Sequence, residues 1–229
     1  MTNERLAELL AAQVLRHYLP DWVERKEAAI LDVGCGRGGL IHALSRLGYA
    51  HVQGVDLYLD APIHYTNGTN GVAVHKGTIH EMPPGWDLIM LHHAFEHMPD
   101  PLDVLAAVAQ RLTPGGLCLI RIPIVPSLAW ERYGVDWVQW DAPRHFFLHS
   151  VQSLTLLAEQ AGLRVEQHFC DSTPFQFVGS ELYRRDIALA EAGPQARFTP
   201  QEMAVFRAET TRANAAARGD QAAFYLRLQ

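Results

Sequence analysis

The sequence predicts an α/β domain built on a mostly parallel sheet. From residue 30 onward, short apolar runs alternate with helix-period segments, the pattern of stacked strand–helix units. Gly/Pro-rich turns separate them, as at Pro83–Pro84–Gly85 and Pro114–Gly115–Gly116. The 229 residues, 48% of them apolar and 19% charged, are enough to bury one substantial core.

The elements follow in order. Leu6, Leu9, Leu10, Val14 and Leu15 recur at helical spacing until Pro20, predicting an amphipathic helix over 3–19. Residues 30–33 form a first strand, followed by a glycine-rich turn and a helix over 42–47 that Gly48 ends. Strands are predicted at 51–57, 72–76 and 86–91. Pro101 opens a helix after Asp100, with Leu102, Leu105, Val108 and Leu112 as its buried stripe. A fifth strand spans 117–122. Ser150 caps a helix carrying Val151, Leu154, Leu157 and Ala161, with Gly162 at its end. A sixth strand covers 163–170, residues 181–192 and 200–217 read as helical, and 222–228 supply a last strand. The whole of 1–229 reads as a single domain with insertions at about 123–149 and 173–217. The first of these gathers Trp130, Tyr133, Trp137, Trp140, Phe146 and Phe147 in a loop-rich stretch, suited equally to packing and to covering a ligand.

Composition narrows the function classes. No apolar run is long enough to span a membrane, and the charged start MTNERLAELL lacks the apolar stretch of a secretory signal, so a cytoplasmic location is expected. Cys35, Cys118 and Cys170 offer neither a disulfide framework nor paired metal spacing and read as reduced thiols. The net charge of −6 and the lack of an Arg/Lys stripe argue against a nucleic-acid partner.

The most informative segment is ILDVGCGRGG, residues 30–39. A buried strand there runs into Gly34, Gly36, Gly38 and Gly39 at a helix entrance, where free backbone N–H groups favour an anionic group. Alone, this G-x-G-x-x-G also matches a nicotinamide or flavin turn. Asp32 changes the reading, because a carboxylate beside the turn repels a pyrophosphate and attracts an ammonium or sulfonium. Asp56, 20 residues after Gly36, is spaced to hold ribose hydroxyls. A nucleoside joined to an amino acid, S-adenosylmethionine, satisfies all three demands.

With the fourth-strand segment WDLIMLHHAFEHMPDP at 86–101 and the Pro114–Gly115–Gly116 turn, these features resemble the class I S-adenosylmethionine-dependent methyltransferases, in the family's order across residues 30–122. Residues 137–162 further resemble a small-molecule subgroup with a W-x-x-x-D-x-P-R-H segment after strand five. The resemblance implies a Rossmann-like seven-stranded sheet with its last strand antiparallel and helices on both faces. It also implies that Gly34, Cys35, Gly36 and Gly38 lie along the methionine part and Asp32 near its amino group. Asp56 would hold the ribose, Leu57, Thr78 and Ile79 would flank the adenine, and His92 would sit near the methionine. Thr78 stands where many members have Asp, so the adenine amino group meets a weaker partner.

The catalytic candidates are His145 as base for a hydroxyl acceptor, His92 or His93 as its alternative, and Tyr133 as a weaker candidate. Arg144 and His145 also suit a bland reading as ion-pairing and capping residues. His93-Ala94-Phe95-Glu96-His97 satisfies a zinc-protease H-x-x-E-H pattern, but that motif needs a continuous helix, which the prolines at 99 and 101 oppose; Glu96 and His97 read instead as a structural polar pair, with no metal expected. The expected activity is in-line methyl transfer to a small molecule such as a sugar, a nucleotide-sugar or a quinone-like intermediate, yielding S-adenosylhomocysteine. The competing hypothesis is a non-catalytic S-adenosylmethionine-binding protein that contacts a partner through 173–217. A nicotinamide dehydrogenase is disfavoured by Asp32.

Overall fold

The computed structural model describes residues 3–67, 70–190 and 197–229. Helix α1 (Asn3–Tyr18) precedes strand β1 (Ala29–Val33), helix α2 (Gly39–Arg46) and strand β2 (His51–Asp56). A hairpin of β3 (Ile63–Asn67) and β4 (Asn70–Lys76) follows, then β5 (Trp86–His92), α3 (Pro101–Arg111) and β6 (Leu112–Pro123). The remainder comprises α4 (Leu128–Tyr133), α5 (Val151–Gln160), β7 (Leu163–Cys170), α6 (Phe175–Arg184), α7 (Pro200–Ala215) and β8 (Gln221–Leu228).

The strands form one eight-stranded sheet in the order β3-β4-β2-β1-β5-β6-β8-β7. The neighbours from β4 to β6 pair parallel, whereas β8 runs antiparallel to both β6 and β7, and β3 is antiparallel to β4. The count exceeds the expected seven because of β3, an edge strand whose four described side chains alternate Ile63-His64-Tyr65-Thr66 without an apolar run. An edge strand needs only one apolar face, so its signal is weak.

Both faces of the sheet are covered, which explains why central strands such as β1 are buried almost throughout. One core holds Leu31, Val33, Ile89 and Leu91 against Leu105 and Val108 of α3 and Leu154 of α5. The other holds Ile30, Met90 and Leu119 against Ala11 and Leu15 of α1 and Ile41 and Leu44 of α2. Leu9 is half-exposed, so the α1 stripe is narrower than the leucine spacing implied. The predicted caps are in place: Asp100 accepts from Asp103 N–H at 3.2 Å with Pro101 next in line, and Ser150 and Ser153 form a reciprocal box.

A third apolar cluster joins the two insertions, with Tyr133 and Trp137 packed on Phe177, Leu182, Met203 and Phe206. Helix α6 spans 175–184 rather than the predicted 181–192: it begins six residues earlier because Phe177 and Val178 supply its buried face, residues 185–190 are turn and loop, and 191 and 192 lie outside the described residues. Among the described residues, no helix is long and apolar enough to cross a membrane.

Candidate active site

The turn after β1 is pinned to β2: Gly34 N–H donates to Val55 O at 2.8 Å and Gly36 N–H to Asp56 Oδ2 at 2.8 Å. Gly34 has φ +72, and a Cβ there would stand 2.4 Å from the Ala94 Cβ. Gly38 is the left-handed N-cap of α2, and its Cβ would meet Val74 at 2.4 Å. The strand exits of β1 and β5 thus approach more closely than any side chain at Gly34 permits.

Beside this contact a cavity of about 700 Å³ opens at the carboxyl ends of the strands, within the usual size of a ligand pocket. It gathers Gly34, Asp56, Leu57, Thr78, Ile79 and His93 of the predicted residues. It also takes in Arg144 and Phe146, which the sequence suited equally to ligand contact and to structural roles, and residues the sequence reading missed: Tyr58, His80, His97, Asp100 and Asp103. Asp100 had shown itself only as a helix cap, and the approach of Arg144 and Phe146 is a tertiary event without a local signal. It is fixed by the Phe146 N–H, which donates to Glu96 O at 2.8 Å.

Asp56 is oriented by two backbone donors, Gly36 N–H on one oxygen and Tyr58 N–H on the other at 2.9 Å. Asp32 does not line the cavity. It is buried at the end of β1, where burial and then the charge of Asp56 push its carboxyl up to about 7. Thr78 has both its N–H and its hydroxyl engaged by Glu81 in a capping box, leaving little for an adenine amino group.

Cys35 packs over Gly54, whose added Cβ would lie 2.4 Å from its Sγ; burial, then Asp32 and Asp56, push the thiol up to about 12, so it stays protonated and acts as filling. His92 lies beyond the cavity lining, with both ring nitrogens secluded and unpartnered. Burial, then Arg121, lowers its pKa to about 3, so the ring is neutral.

The three catalytic candidates separate. His93 lines the cavity at φ +51, a backbone strain for a non-glycine residue, with its Nδ1 3.5 Å from Glu96 Oε1. His145 does not line it: its side chain is buried against His97, and its Nδ1 donates to Gln139 O at 2.8 Å. Tyr133 lies in the third apolar cluster, where its hydroxyl donates to Glu181 at 3.1 Å and burial, then Glu181, raises its pKa to about 12. The aromatic run of the insertion drew attention to Tyr133, and that run divides between core (Tyr133, Trp137) and exposed surface (Trp140, Phe146).

Phe95–His97 is a single 3-10 turn rather than the continuous helix of the zinc motif. His97 Nδ1 donates to Arg144 O at 2.8 Å, while Glu96 places Oε1 3.5 Å from His93 Nδ1 and its buried Oε2 has no partner among the described residues. With His145 they bring one potential ligand atom apiece to within 4.8 Å of one another.

The donor set fits S-adenosylmethionine: an oriented carboxylate for a ribose, a buried unneutralised carboxylate for an ammonium, and a turn stripped of side chains. Comparison with known proteins agrees. Residues 3–168 match a methyltransferase domain. The chain is 35% identical over 109 residues to a ubiquinone biosynthesis O-methyltransferase of Saccharophagus degradans, covering 44% of this chain and 45% of that one. It is 34% identical over 154 residues to the namesake of Nitrosospira multiformis, covering 60% and 63%. The matches span about half the length of these curated relatives. A SAM-dependent methyltransferase from Archaeoglobus fulgidus shares the fold at TM-score 0.58 and 20% identity, over 97% of this chain and 94% of that one. The chain belongs to the methyltransferase domain family, of the class I, S-adenosylmethionine-dependent kind.

Proposed function

We propose that the protein transfers a methyl group from S-adenosylmethionine to a hydroxyl of a small, quinone-like or phenolic acceptor. The observation that carries this is the cavity at the strand ends, which unites the glycine turn, the oriented Asp56 and a strained histidine. The O-methyltransferase names of the relatives support a hydroxyl acceptor and, among the acceptor classes considered, the quinone-like one.

When bound, the cofactor supplies an electrophilic methyl on a sulfonium. Asp56, with one lone-pair direction per oxygen taken by Gly36 and Tyr58, offers the others to the ribose hydroxyls. Asp32, buried next to the lining residues Val33 and Gly34, would face the amino group across the strand exit. Leu57 and Ile79 give an adenine ring apolar faces, and Phe146 and Pro143 cover the opening from the insertion. His93 accepts the acceptor's hydroxyl proton, with Glu96 orienting the ring and stabilising the imidazolium that forms. His145 is a positioning residue: through His97 and Gln139 it fixes the loop that carries Arg144 and Phe146. Methyl transfer needs no covalent intermediate, so alignment and exclusion of water account for most of what the chain must provide.

The test is calorimetry with S-adenosylhomocysteine, followed by its release from S-adenosylmethionine across a panel of catechols and hydroquinones. Binding plus acceptor-dependent product supports the reading. Binding without product across the panel favours a non-catalytic cofactor-binding protein, and no binding overturns both.

A further inference from the structure

Glu96 and His97 sit on the single 3-10 turn after β5, and His145 reaches them from the insertion. Each brings one ligand atom to within 4.8 Å of the others. Backbone contacts on both sides of His145 hold it there: Phe146 N–H donates to Glu96 O at 2.8 Å, and Arg144 O accepts from His97 Nδ1 at 2.8 Å. The side chains of His145 and Glu96 are 5% and 1% exposed, while His97 stands on the cavity wall.

The hydrogen bonds fix what these groups can offer. A carbonyl oxygen only accepts, so a ring nitrogen bonded to one carries the proton. His97 meets Arg144 O in this way and His145 meets Gln139 O, each through Nδ1 at 2.8 Å, so the lone pair of either neutral ring lies on Nε2. Glu96 adds only acceptors: Oε1 faces His93 Nδ1 at 3.5 Å, and Oε2 is buried without a partner among the described residues. Two lone-pair nitrogens and a carboxylate oxygen thus gather with no donor among them. Packing does not account for this, because acceptors collected in a secluded place repel one another unless a cation stands between them. One shared proton satisfies two of the three, whereas a metal ion satisfies all. An Nδ1–H bonded to a backbone carbonyl is also the usual outer support of a metal-bound histidine.

We propose that Glu96, His97 and His145 bind a divalent transition-metal ion of the zinc class, and that the ion clamps the insertion onto the turn after β5. Two imidazoles with one carboxylate suit zinc and its neighbours, whereas magnesium favours oxygen ligands. Bonds of about 2.1 Å in a tetrahedron set ligand atoms about 3.4 Å apart, so the trio has to close by at most about 1.4 Å. The fourth position falls to water or to Asp141, whose Oδ2 lies 3.6 Å from His145 Nε2 while its Oδ1 holds Arg144. This is not the zinc-protease arrangement: the ligands are the last two residues of the H-x-x-E-H segment and a histidine from another element, and His93 keeps Glu96 Oε1. Because Pro143, Arg144 and Phe146 line the cavity on either side of His145, the ion fixes that part of its wall. The assignment does not depend on the identity of the methyl acceptor.

The probe is Zn²⁺ alone, titrated by calorimetry into metal-free wild-type protein without a purification tag, with Mg²⁺ as the comparison. One equivalent of Zn²⁺ should bind, at least about 100-fold more tightly than Mg²⁺, and raise the melting temperature. No binding of Zn²⁺, or equal affinity for the two ions, overturns the proposal without recourse to any variant. Glu96→Gln and His145→Gln should each weaken Zn²⁺ by at least about tenfold, while His93→Gln leaves it within about threefold. Zn²⁺ bound with unchanged affinity in both of the first two variants lies elsewhere, and the assignment falls. In the wild type, Zn²⁺ should slow hydrogen exchange at the amides of 144–147 by about tenfold or more; exchange that is unchanged while Zn²⁺ is bound overturns the clamp. Since no S-adenosyl compound is present in these measurements, their failure leaves the methyltransferase reading standing, and absence of S-adenosylhomocysteine binding leaves the metal site standing.

Discussion

Replacing Asp32 with Asn separates a carboxylate that serves a ligand from one that serves the fold. In the unliganded protein its carboxyl is pushed up to about 7 from 3.8 by burial and by Asp56. In the unfolded chain it ionises near its ordinary value. Between about pH 4 and pH 7 the native state therefore holds a proton that the unfolded state has lost, and stability falls as pH rises through that window. The gap of about three pH units, at about 1.4 kcal/mol each, amounts to a penalty of order 4 kcal/mol above pH 7. A ligand ammonium relieves it. If the ligand binds only the ionised form, its apparent Kd is raised by a factor of one plus 10 to the power (7 − pH), about elevenfold at pH 6 and about 1.1-fold at pH 8. Affinity for S-adenosylhomocysteine should thus improve about tenfold from pH 6 to pH 8. The neighbouring Cys35 thiol and the neutral His92 ring do not titrate in that interval. Asp32→Asn should bind weakly with no slope, while its unliganded melting temperature at pH 8 rises, by at most about 16 °C at about 2–4 °C per kcal/mol. Calorimetry at three pH values with parallel thermal melts measures both. A flat wild-type profile, or a slope that survives in Asp32→Asn, would refute the reasoning.

Gly34→Ala should destabilise the fold by roughly 1–3 kcal/mol, read as a lower midpoint in urea, since its Cβ meets Ala94 at 2.4 Å on a backbone at φ +72. His93→Gln should lower kcat by about 10²–10⁴ with little change in cofactor affinity, while Glu96→Gln should lower it less and shift the pH–rate profile. His93→Gly should abolish turnover yet stabilise the chain by about 1 kcal/mol, because glycine accepts φ +51 without strain. Tyr133→Phe should cost about 1 kcal/mol through the lost bond to Glu181 and leave S-adenosylhomocysteine affinity within twofold; a large loss of affinity would return Tyr133 to the site.

Much of this architecture is legible from local chemistry. The glycine turn needs backbone freedom that few other residues supply, and Asp100–Pro101 and Ser150 mark helix starts because unpaired N–H groups at those positions require an acceptor. These signals lie within a few residues of the structures they cause. The β3 edge was not legible, because a strand with one apolar face and a single partner leaves almost no pattern. The same limit separates the histidines. In sequence His145, by its place in the insertion after strand five, ranks ahead of His92 and His93 as the base. What distinguishes them is that Phe146 N–H bonds to Glu96 O, turning the insertion so that Arg144 and Phe146 meet the cavity while His145 packs inward on Gln139 and His97.

The polar row from Asp32 to Arg121 shows why placement and partnership must be considered together. Period-two alternation alone puts Asp32, His92 and Arg121 on one sheet face, so a sequence reader who trusted the strands could have found the row. Alternation says nothing about which groups the fold satisfies. Asp171 has three donors, holds Arg121 and ties β7 and β8 to α1, and Arg121 also lies over the Tyr18 ring, whereas the buried His92 ring has no partner among the described residues. Here the ion pair serves cohesion between the sheet and α1, and what sets His92 apart is burial, which lowers its pKa to about 3 and keeps the ring neutral.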